Sequence, residues 1–413
     1  MNTSPFKRDV VILGSTGSIG TQALEVVEET GHFNVIGLAA GGSSLQELAA
    51  QVAKFHPQVV AVAKQITEKD FAEPGSEAAA LRAACDQVGA ELLVGPGSTE
   101  TLAGSFPGAT VLNGVTGGIG LEATLRALTA GSTLALANKE SLVVGGSLVK
   151  QAIQRPGQVV PVDSEHSAIA QALLSGVHER GMTSPVVTGK SELKELVLTA
   201  SGGPFRGRKR EDLQNVTAKQ ALAHPTWAMG PVVTVNSSTL MNKGLELIEA
   251  ALLFDVKPEN IIPVVHPQSI VHSMVTWQDG STIAQASYPD MKVPIALGLD
   301  WPNHLKHIGR PLEWGRATEW TFEPVDHEVF PALTIARDAL SASATHPAVM
   351  NAANEVGVDA FLTGKTGWVN IVDTVAEVVE EHEGVPDPSF DEVMAAQQWA
   401  SRRASELLGV QCT

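Results

Sequence analysis

The first 165 residues alternate short apolar runs with segments of helical periodicity. VVIL precedes TQALEVVEE, NVIGLAA precedes LQELAAQVAKF, and ATVLNG precedes GLEATLRAL; the last run of the series is QVVPV. Apolar runs separated by glycine-containing turns are typical of parallel strands that crossover helices bury on both faces. The pattern predicts an α/β fold whose N-terminal part, residues 1–165, is a Rossmann-like, doubly wound parallel sheet.

A different pattern begins at residue 166. ELVLTAS, IIPVV, SIVHSMVTW and STIAQAS are strand candidates, and Asp279-Gly280 between the last two is a typical hairpin turn. We expect an α+β catalytic domain over 166–300, with a mixed or antiparallel sheet that leaves one face available to a partner subunit. Two loop-like segments rich in Gly and Pro predict a lid over about 201–231.

Helical periodicity dominates the end of the chain. FPALTIARDALSA, HPAVMNAANEVGVDAFLTG, NIVDTVAEVVEEH and FDEVMAAQQWASRRASELL each carry apolar residues at helical spacing, with Gly or Pro between the segments. These patterns predict a C-terminal α-helical domain over 327–413, joined to the preceding domain by a linker over 301–326.

Charge and cysteine content narrow the choice of partners and compartment. Lys+Arg 28 against Asp+Glu 45 gives a net charge of −17, which disfavours nucleic acid and anionic membranes as partners. An anionic substrate therefore needs a local basic pocket. Cys85 and Cys412 are too few for a disulfide framework, and no apolar run has the length of a signal peptide or membrane span. We expect a cytoplasmic protein.

A glycine-rich turn, Gly14 to Gly20, lies between the first strand and the first helix. Glycines allow the backbone to approach a pyrophosphate, and the N–H groups of the helix start favour negative charge. The alternative is an ordinary strand–helix turn. The acid that holds the ribose 2′-hydroxyl of NAD is missing, because the second strand is followed by Gly41, Gly42 and Ser43, and this favours NADP.

Two acids, Asp163 and Glu165, follow QVVPV. If this segment is extended, residues two apart point the same way, at the carboxyl end of the sheet where α/β ligands bind. Two parallel carboxylates require a cation. The alternative is a pair of acids that cap the next helix.

A third motif runs from Asn236 to Glu246. Ser237, Asn242 and Lys243 supply a hydroxyl, an amide and an ammonium near an expected helix start, a donor set that suits a phosphate group. Glu246 lies three residues beyond Lys243 and adds a third carboxylate; an all-carboxylate set favours Mg²⁺ or Mn²⁺. The alternative is a capped helix with a surface Lys–Glu pair.

Four further side chains support a site. Lys139 follows a strand end, and Ser201 precedes two glycines that can form a backbone nest for phosphate. His224 and Trp227 lie in the predicted lid, although hydrophobic packing is an equally good reason for an aromatic residue in a Pro-flanked loop.

Six motifs, GSTGSIG, ANKES, VDSEHSA, LTASGGPF, HPTWAMG and NSSTLMNKGLELIEA, occur in an order that resembles the 1-deoxy-D-xylulose 5-phosphate reductoisomerases. The resemblance covers essentially the whole chain. It implies rearrangement of a sugar phosphate, 1-deoxy-D-xylulose 5-phosphate, and its reduction by NADPH to 2-C-methyl-D-erythritol 4-phosphate in the non-mevalonate isoprenoid route. A homodimer is also expected.

The resemblance also implies roles for individual residues. The metal ligands would be Asp163, Glu165 and Glu246, which with Lys139 form the catalytic set. The substrate would contact Lys139, Ser164, Glu165, Ser201, His224, Trp227, Ser237, Asn242, Lys243 and Glu246. The cofactor site would comprise Gly14, Thr16, Gly17, Ser18, Ile19, Gly41, Ser43, Asn138, Glu140 and Gly230. Where the family often has a basic residue or Asn, this chain has Gly42-Ser43.

Two other functions fit parts of the sequence. A semialdehyde dehydrogenase also has a glycine-rich turn followed by a substrate domain, but it requires a nucleophilic cysteine, and neither cysteine lies near a motif. A dinucleotide-sensing regulator would have no use for three acids beside a phosphate pocket.

Overall fold

The computed structural model describes residues 7–227 and 229–411, so Ala228 in the predicted lid and Cys412 lie outside the described residues. The chain forms two compact units, neither of which is continuous in sequence. The first unit comprises Met1–Asn138, Ala152–Ser167 and Asp290–Gly309, and the second comprises Lys139–Gln151, Ala168–Pro289 and Arg310–Thr413.

Strands and helices are numbered along the chain. The strands are β1 (Arg8–Leu13), β2 (Phe33–Ala40), β3 (Val59–Val62), β4 (Glu91–Val94), β5 (Thr110–Asn113), β6 (Thr133–Leu136), β7 (Val159–Pro161), β8 (Leu193–Ala200), β9 (Ile261–Val265), β10 (Val271–Trp277), β11 (Thr282–Ala286) and β12 (Glu323–Pro324). The α-helices are α1 (Ser18–Thr30), α2 (Leu45–Phe55), α3 (Glu68–Ala72), α4 (Glu77–Val88), α5 (Ser98–Gly104), α6 (Gly120–Thr129), α7 (Lys139–Ala152), α8 (Ser164–Leu173), α9 (Ala218–Ala221), α10 (Pro231–Ser238), α11 (Met241–Phe254), α12 (Lys292–Asp300), α13 (Ala332–Ala342), α14 (His346–Leu362), α15 (Trp368–Glu380) and α16 (Phe390–Leu408).

The first unit is built on a parallel sheet with the order β4-β3-β2-β1-β5-β6-β7. The strand order reverses between β1 and β5, whose pairing is parallel. In open α/β sheets ligands bind at such a reversal, beyond the carboxyl ends of the strands. The predicted Rossmann-like fold is confirmed, and the glycine-rich turn that follows β1 lies at the reversal.

Helix α12 belongs to this first unit, although it comes late in the chain. Its apolar residues Ile295 and Leu299 are buried in one core with Ala135 of β6 and Val162, which follows β7. Gly298 allows the close approach, because a Cβ there would lie 2.7 Å from a methyl group of Val162. The helix therefore covers part of the sheet that the N-terminal segment alone leaves bare.

The second unit contains a mixed sheet with the order β11-β10-β8-β9-β12. β8 pairs with β9 in parallel and with β10 antiparallel. The predicted hairpin is confirmed, since β10 and β11 are antiparallel and Gly280 of the turn has a φ of 88°. Strand β12 lies in the segment predicted as a linker.

The final helices α13 to α16 bury apolar residues in a common core, as the sequence predicts. Among residues 7–227 and 229–411, no helix has the length and apolar character needed to cross a membrane.

Candidate active site

The glycine-rich turn after β1 is closely packed against backbone. Gly14 has a φ of 79°, and a Cβ on it would lie 2.7 Å from the Gly114 carbonyl oxygen. A Cβ on Gly20 would lie 2.3 Å from the Gly14 carbonyl oxygen. Helix α1 begins within this segment, at Ser18 with Gly17 as its N-cap residue, so the N–H groups of its first turn are available to an anion. This geometry fits a dinucleotide pyrophosphate.

Buried amide side chains hold the turn and its neighbouring loop in place, and sequence reasoning missed two of them. Gln51 of α2 donates to the Ser15 carbonyl oxygen at 2.9 Å. Asn113, at the end of β5, donates to the Gly120 carbonyl oxygen at 3.0 Å. The predicted cofactor residue Asn138 donates to the carbonyl oxygens of Val115 and Gly117. A polar residue at the carboxyl end of a buried strand was the available signal for Asn113.

Asp163 and Glu165 do not lie in an extended segment, so that prediction is wrong. Helix α8 begins at Ser164, and the Asp163 carboxylate accepts the Glu165 backbone N–H at 3.3 Å, as a helix-capping acid does. The two carboxylates still lie side by side, with oxygens within 4.8 Å of each other. Buried His166 has its Nδ1 3.4 Å from Asp163. Half-buried, adjacent carboxylate oxygens are suited to a hard divalent cation.

Lys139, Asn242, Lys243 and Glu246 form a compact cluster in the second unit. The Lys139 ammonium lies 3.1 Å from one Glu246 oxygen and 2.9 Å from the Asn242 side-chain oxygen. Lys243 pairs with the other Glu246 oxygen. The side chains of Lys243 and Glu246 are only 4% and 2% exposed. A surface Lys–Glu pair is therefore excluded, because two ammonium groups meet one carboxylate in a nearly buried setting.

The Ser201, His224 and Ser237 side chains meet at a single imidazole nitrogen. The Nε2 atom of His224 lies 3.0 Å from the Ser201 hydroxyl and 3.1 Å from the Ser237 hydroxyl. Its Nδ1 atom accepts the backbone N–H of Trp227 at 2.9 Å. The proton of the neutral ring is therefore on Nε2, and burial lowers the pKa of His224. Two hydroxyls and an imidazole N–H together form a pocket for an anionic oxygen.

Ser237 does not lie at a helix start as predicted. It lies in the last turn of helix α10, and Leu240, with a φ of 59°, precedes α11. The run PVVTVNSS contains several β-branched residues, which is why its helical state escaped prediction. Gly203, with a φ of 66°, approaches this helix end, since a Cβ there would lie 2.7 Å from the Ser237 carbonyl oxygen. The segment after Ser201 thus packs directly on α10.

Two residues from the C-terminal helices support the end of α10 and were also missed. The Trp368 indole N–H donates to the Ser238 hydroxyl at 2.8 Å, and Asn354 donates to the Asn236 side-chain oxygen at 2.9 Å. Both lie more than a hundred residues away in sequence, so no local pattern reveals them.

The remaining predicted site residues lie in turns and loops or at the starts of helices. Thr16 lies in the glycine-rich turn, Glu140 in the first turn of α7, and Gly230 is the N-cap residue of α10. Gly41 and Ser43 follow β2. Trp227 is half-buried, with its ring centroid 6.1 Å from that of His272. Whether these residues contact ligands stays a prediction.

The family model described as 1-deoxy-D-xylulose 5-phosphate reductoisomerase matches residues 10–146. Models of the C-terminal domains of these enzymes match 159–254 and 286–403. A 1-deoxy-D-xylulose 5-phosphate reductoisomerase from Beutenbergia cavernae is 58% identical over 404 residues, which cover 97% of each chain. This chain belongs to the 1-deoxy-D-xylulose 5-phosphate reductoisomerase family. The resemblance drawn from six motifs is confirmed.

Other reductoisomerases agree in sequence and structure. A relative from Paenarthrobacter aurescens is 51% identical, over 97% of this chain and 98% of its own. The reductoisomerase from Zymomonas mobilis in complex with NADPH matches with a TM-score of 0.85 at 35% identity, over 98% of this chain and 99% of its own. A crystal structure of a DOX-P reductoisomerase in complex with NADPH, fosmidomycin and magnesium matches with a TM-score of 0.83 at 31% identity, over 97% of this chain and 98% of its own.

Proposed function

We propose that this chain converts 1-deoxy-D-xylulose 5-phosphate to 2-C-methyl-D-erythritol 4-phosphate, using NADPH and a divalent metal ion. The observation that carries the proposal is the nearly buried cluster of Lys139, Lys243 and Glu246, beside which the sequence also supplies Asn242. Two ammonium groups around one acid are rarely buried without a functional reason, because desolvation of the charges is costly.

The pyrophosphate and the adenosine half of NADPH are assigned to the first unit. The turn from Gly14 to Gly20 would hold the pyrophosphate, with Thr16, Gly17, Ser18 and Ile19 around it, and Gly41 and Ser43 would face the adenosine ribose. Asn138, Glu140 and Gly230 are proposed to border the nicotinamide half. The absence of side chains at Gly14 and Gly20 supports this assignment, since the packing leaves no room for a Cβ at either position.

The metal ligands are proposed to be Asp163, Glu165 and Glu246. Oxygen-only donors favour Mg²⁺ or Mn²⁺. Both Glu246 oxygens contact lysines. A cation at Glu246 would therefore exchange with at least one ammonium group, and the released lysine would be available to the substrate.

The substrate phosphate is assigned to Ser201, Ser237, Asn242 and Lys243, with His224 between the two hydroxyls. Because the Nδ1 atom of His224 already accepts the Trp227 N–H, its Nε2–H points at the proposed phosphate. Lys139 and Ser164 would bind the hydroxylated end of the sugar. When bound, NADPH supplies the hydride and the divalent cation stabilises charge on the substrate oxygens.

Trp227 is proposed to close the lid over the substrate and to exclude water from the aldehyde that precedes reduction. We also propose that residues 1–165 bind the nucleotide, that 166–300 carry most of the residues that contact the substrate, and that 301–326 link this domain to 327–413. The face of the second sheet that carries Ile283 of β11, which is 40% exposed, is the proposed contact in a homodimer, and a cytoplasmic location is proposed.

NADPH oxidation, followed by absorbance, tests the function. Oxidation should require both 1-deoxy-D-xylulose 5-phosphate and Mg²⁺ or Mn²⁺, and a chelator should abolish it. Oxidation that proceeds without either component would contradict the proposal. Sedimentation velocity tests the dimer separately, and a purely monomeric protein at assay concentration would exclude it.

A further inference from the structure

The cofactor site described so far lacks a group that could recognise the 2′-phosphate of NADPH. The residues that follow β2 are Gly41, Gly42 and Ser43, so the sequence places neither an acid for a 2′-hydroxyl nor a cation for a 2′-phosphate on this strand. A dinucleotide site without that acid accepts a 2′-phosphate, but discrimination against NADH requires a positive charge from elsewhere.

Strand β3, which pairs with β2, is followed by a residue that provides this positive charge. β2 and β3 are parallel, with Ala40 paired to Val62, so the residues that follow the two strands lie side by side at the carboxyl edge of the sheet. Lys64 is the second residue after β3. Its backbone N–H donates to the Gly41 carbonyl oxygen at 3.1 Å, which fixes the base of its side chain beside the residues proposed to face the ribose.

Gly42 brings the two segments into contact. Its φ is 102°, and a Cβ there would lie 2.6 Å from the Lys64 Cβ and 3.0 Å from a Val62 methyl group. A side chain at position 42 would therefore displace Lys64 or the backbone. The glycine makes room for the lysine, and this accounts for a small residue where the family often has a basic one.

The Lys64 side chain is exposed, and its ammonium makes no hydrogen bond or ion pair within residues 7–227 and 229–411. The Asp70 carboxylate accepts the N–H and O–H of Thr67, both at 2.7 Å, and these bonds lower the pKa of Asp70, to which the Lys64 charge adds a smaller contribution. The lysine thus retains its donors for a ligand at the edge of the sheet.

We propose that Lys64 is the specificity-determining residue that recognises the 2′-phosphate of NADPH, with the Ser43 hydroxyl beside it. The inference rests on the proposed assignment of NADPH to this unit. It adds a cation from β3 to a site that β2 leaves without one, and it predicts that selectivity between NADPH and NADH depends on a single exposed charge.

Equilibrium binding to the full chain tests the inference without turnover. NADPH and NADH are titrated by nucleotide fluorescence, and 2′,5′-ADP and 5′-AMP by calorimetry, for the wild type, Lys64→Gln and Lys64→Arg. A charge-assisted hydrogen bond at an exposed site corresponds to about a tenfold change in affinity. Lys64→Gln should weaken NADPH and 2′,5′-ADP by about that factor and change NADH and 5′-AMP less than about twofold, and Lys64→Arg should retain wild-type selectivity.

Lys69→Gln is the matched control, because Lys69 is also exposed and lies five residues further on, in α3. It should bind all four ligands as the wild type does. Equal losses for NADPH and NADH, or no loss for either, in Lys64→Gln would overturn the inference while leaving the proposed function intact. A wild type that binds NADH as tightly as NADPH would instead contradict the cofactor assignment itself.

Discussion

Replacement of Glu246 by Gln tests two roles of this acid: it is the ion-pair partner of two lysines, and it is a proposed metal ligand. The carboxylate neutralises Lys139 and Lys243 at a site where its own side chain is 2% exposed and theirs are 13% and 4% exposed. Gln retains the size and one acceptor but removes the charge. Because breaking a nearly buried ion pair costs about 3–5 kcal/mol, the variant should unfold several degrees below the wild type.

The metal role gives a second, independent measurement. A ligand at 100 times its dissociation constant stabilises the folded state by about 2.7 kcal/mol, so Mn²⁺ should raise the melting temperature of the wild type. Glu246→Gln should lose most of this rise and should require more metal for turnover. Glu259→Gln is the control, since Glu259 is 67% exposed and lies 3.9 Å from Lys257. If Glu246→Gln melts like the wild type and responds equally to Mn²⁺, both the buried ion pair and the ligand assignment are wrong.

Three other substitutions test separate parts of the site and fold. Lys243→Ala should raise KM for the phosphorylated substrate in steady-state assays, and an unchanged KM would count against the phosphate pocket. Trp227→Ala should slow turnover and leave NADPH affinity nearly intact by fluorescence titration; a large loss of affinity would contradict the lid role. Burial lowers the pKa of both His346 and His382, whose ring centroids are 4.9 Å apart. Below the ordinary pKa of 6.5 the unfolded chain therefore binds protons that the folded chain does not, so the stability of the fold should decrease as the pH falls below that value. His382→Asn should flatten this dependence of the melting temperature, and an unaltered slope would refute the assignment.

The sequence predicted the features that local patterns encode. The parallel strands, the turn from Gly14 and the Asp279-Gly280 hairpin are all present, because period, glycine content and turn chemistry act over a few residues. Residue type and spacing also indicated the acids of the proposed metal site and the hydroxyls of the proposed phosphate pocket, and the roles of these residues stay predictions.

The features that the sequence did not predict depend on tertiary contacts. Asp163 and Glu165 lie at a helix start because the chain turns into α8 immediately after β7. The helical state of α10 depends on packing rather than on its β-branched residues. Trp368 reaches Ser238 across 130 positions, a contact that no window of sequence contains.

The late position of α12 has a consequence for how the protein is made. The apolar surface formed by β6 and β7 is complete once residue 161 has been synthesised, yet Ile295 and Leu299, which bury part of it, emerge from the ribosome more than a hundred residues later. During that interval the nascent sheet exposes a hydrophobic surface, to which chaperones or other nascent chains can bind. A fragment ending at residue 165 should consequently aggregate when expressed alone, and one in which α12 is rejoined through a short linker should remain dispersed.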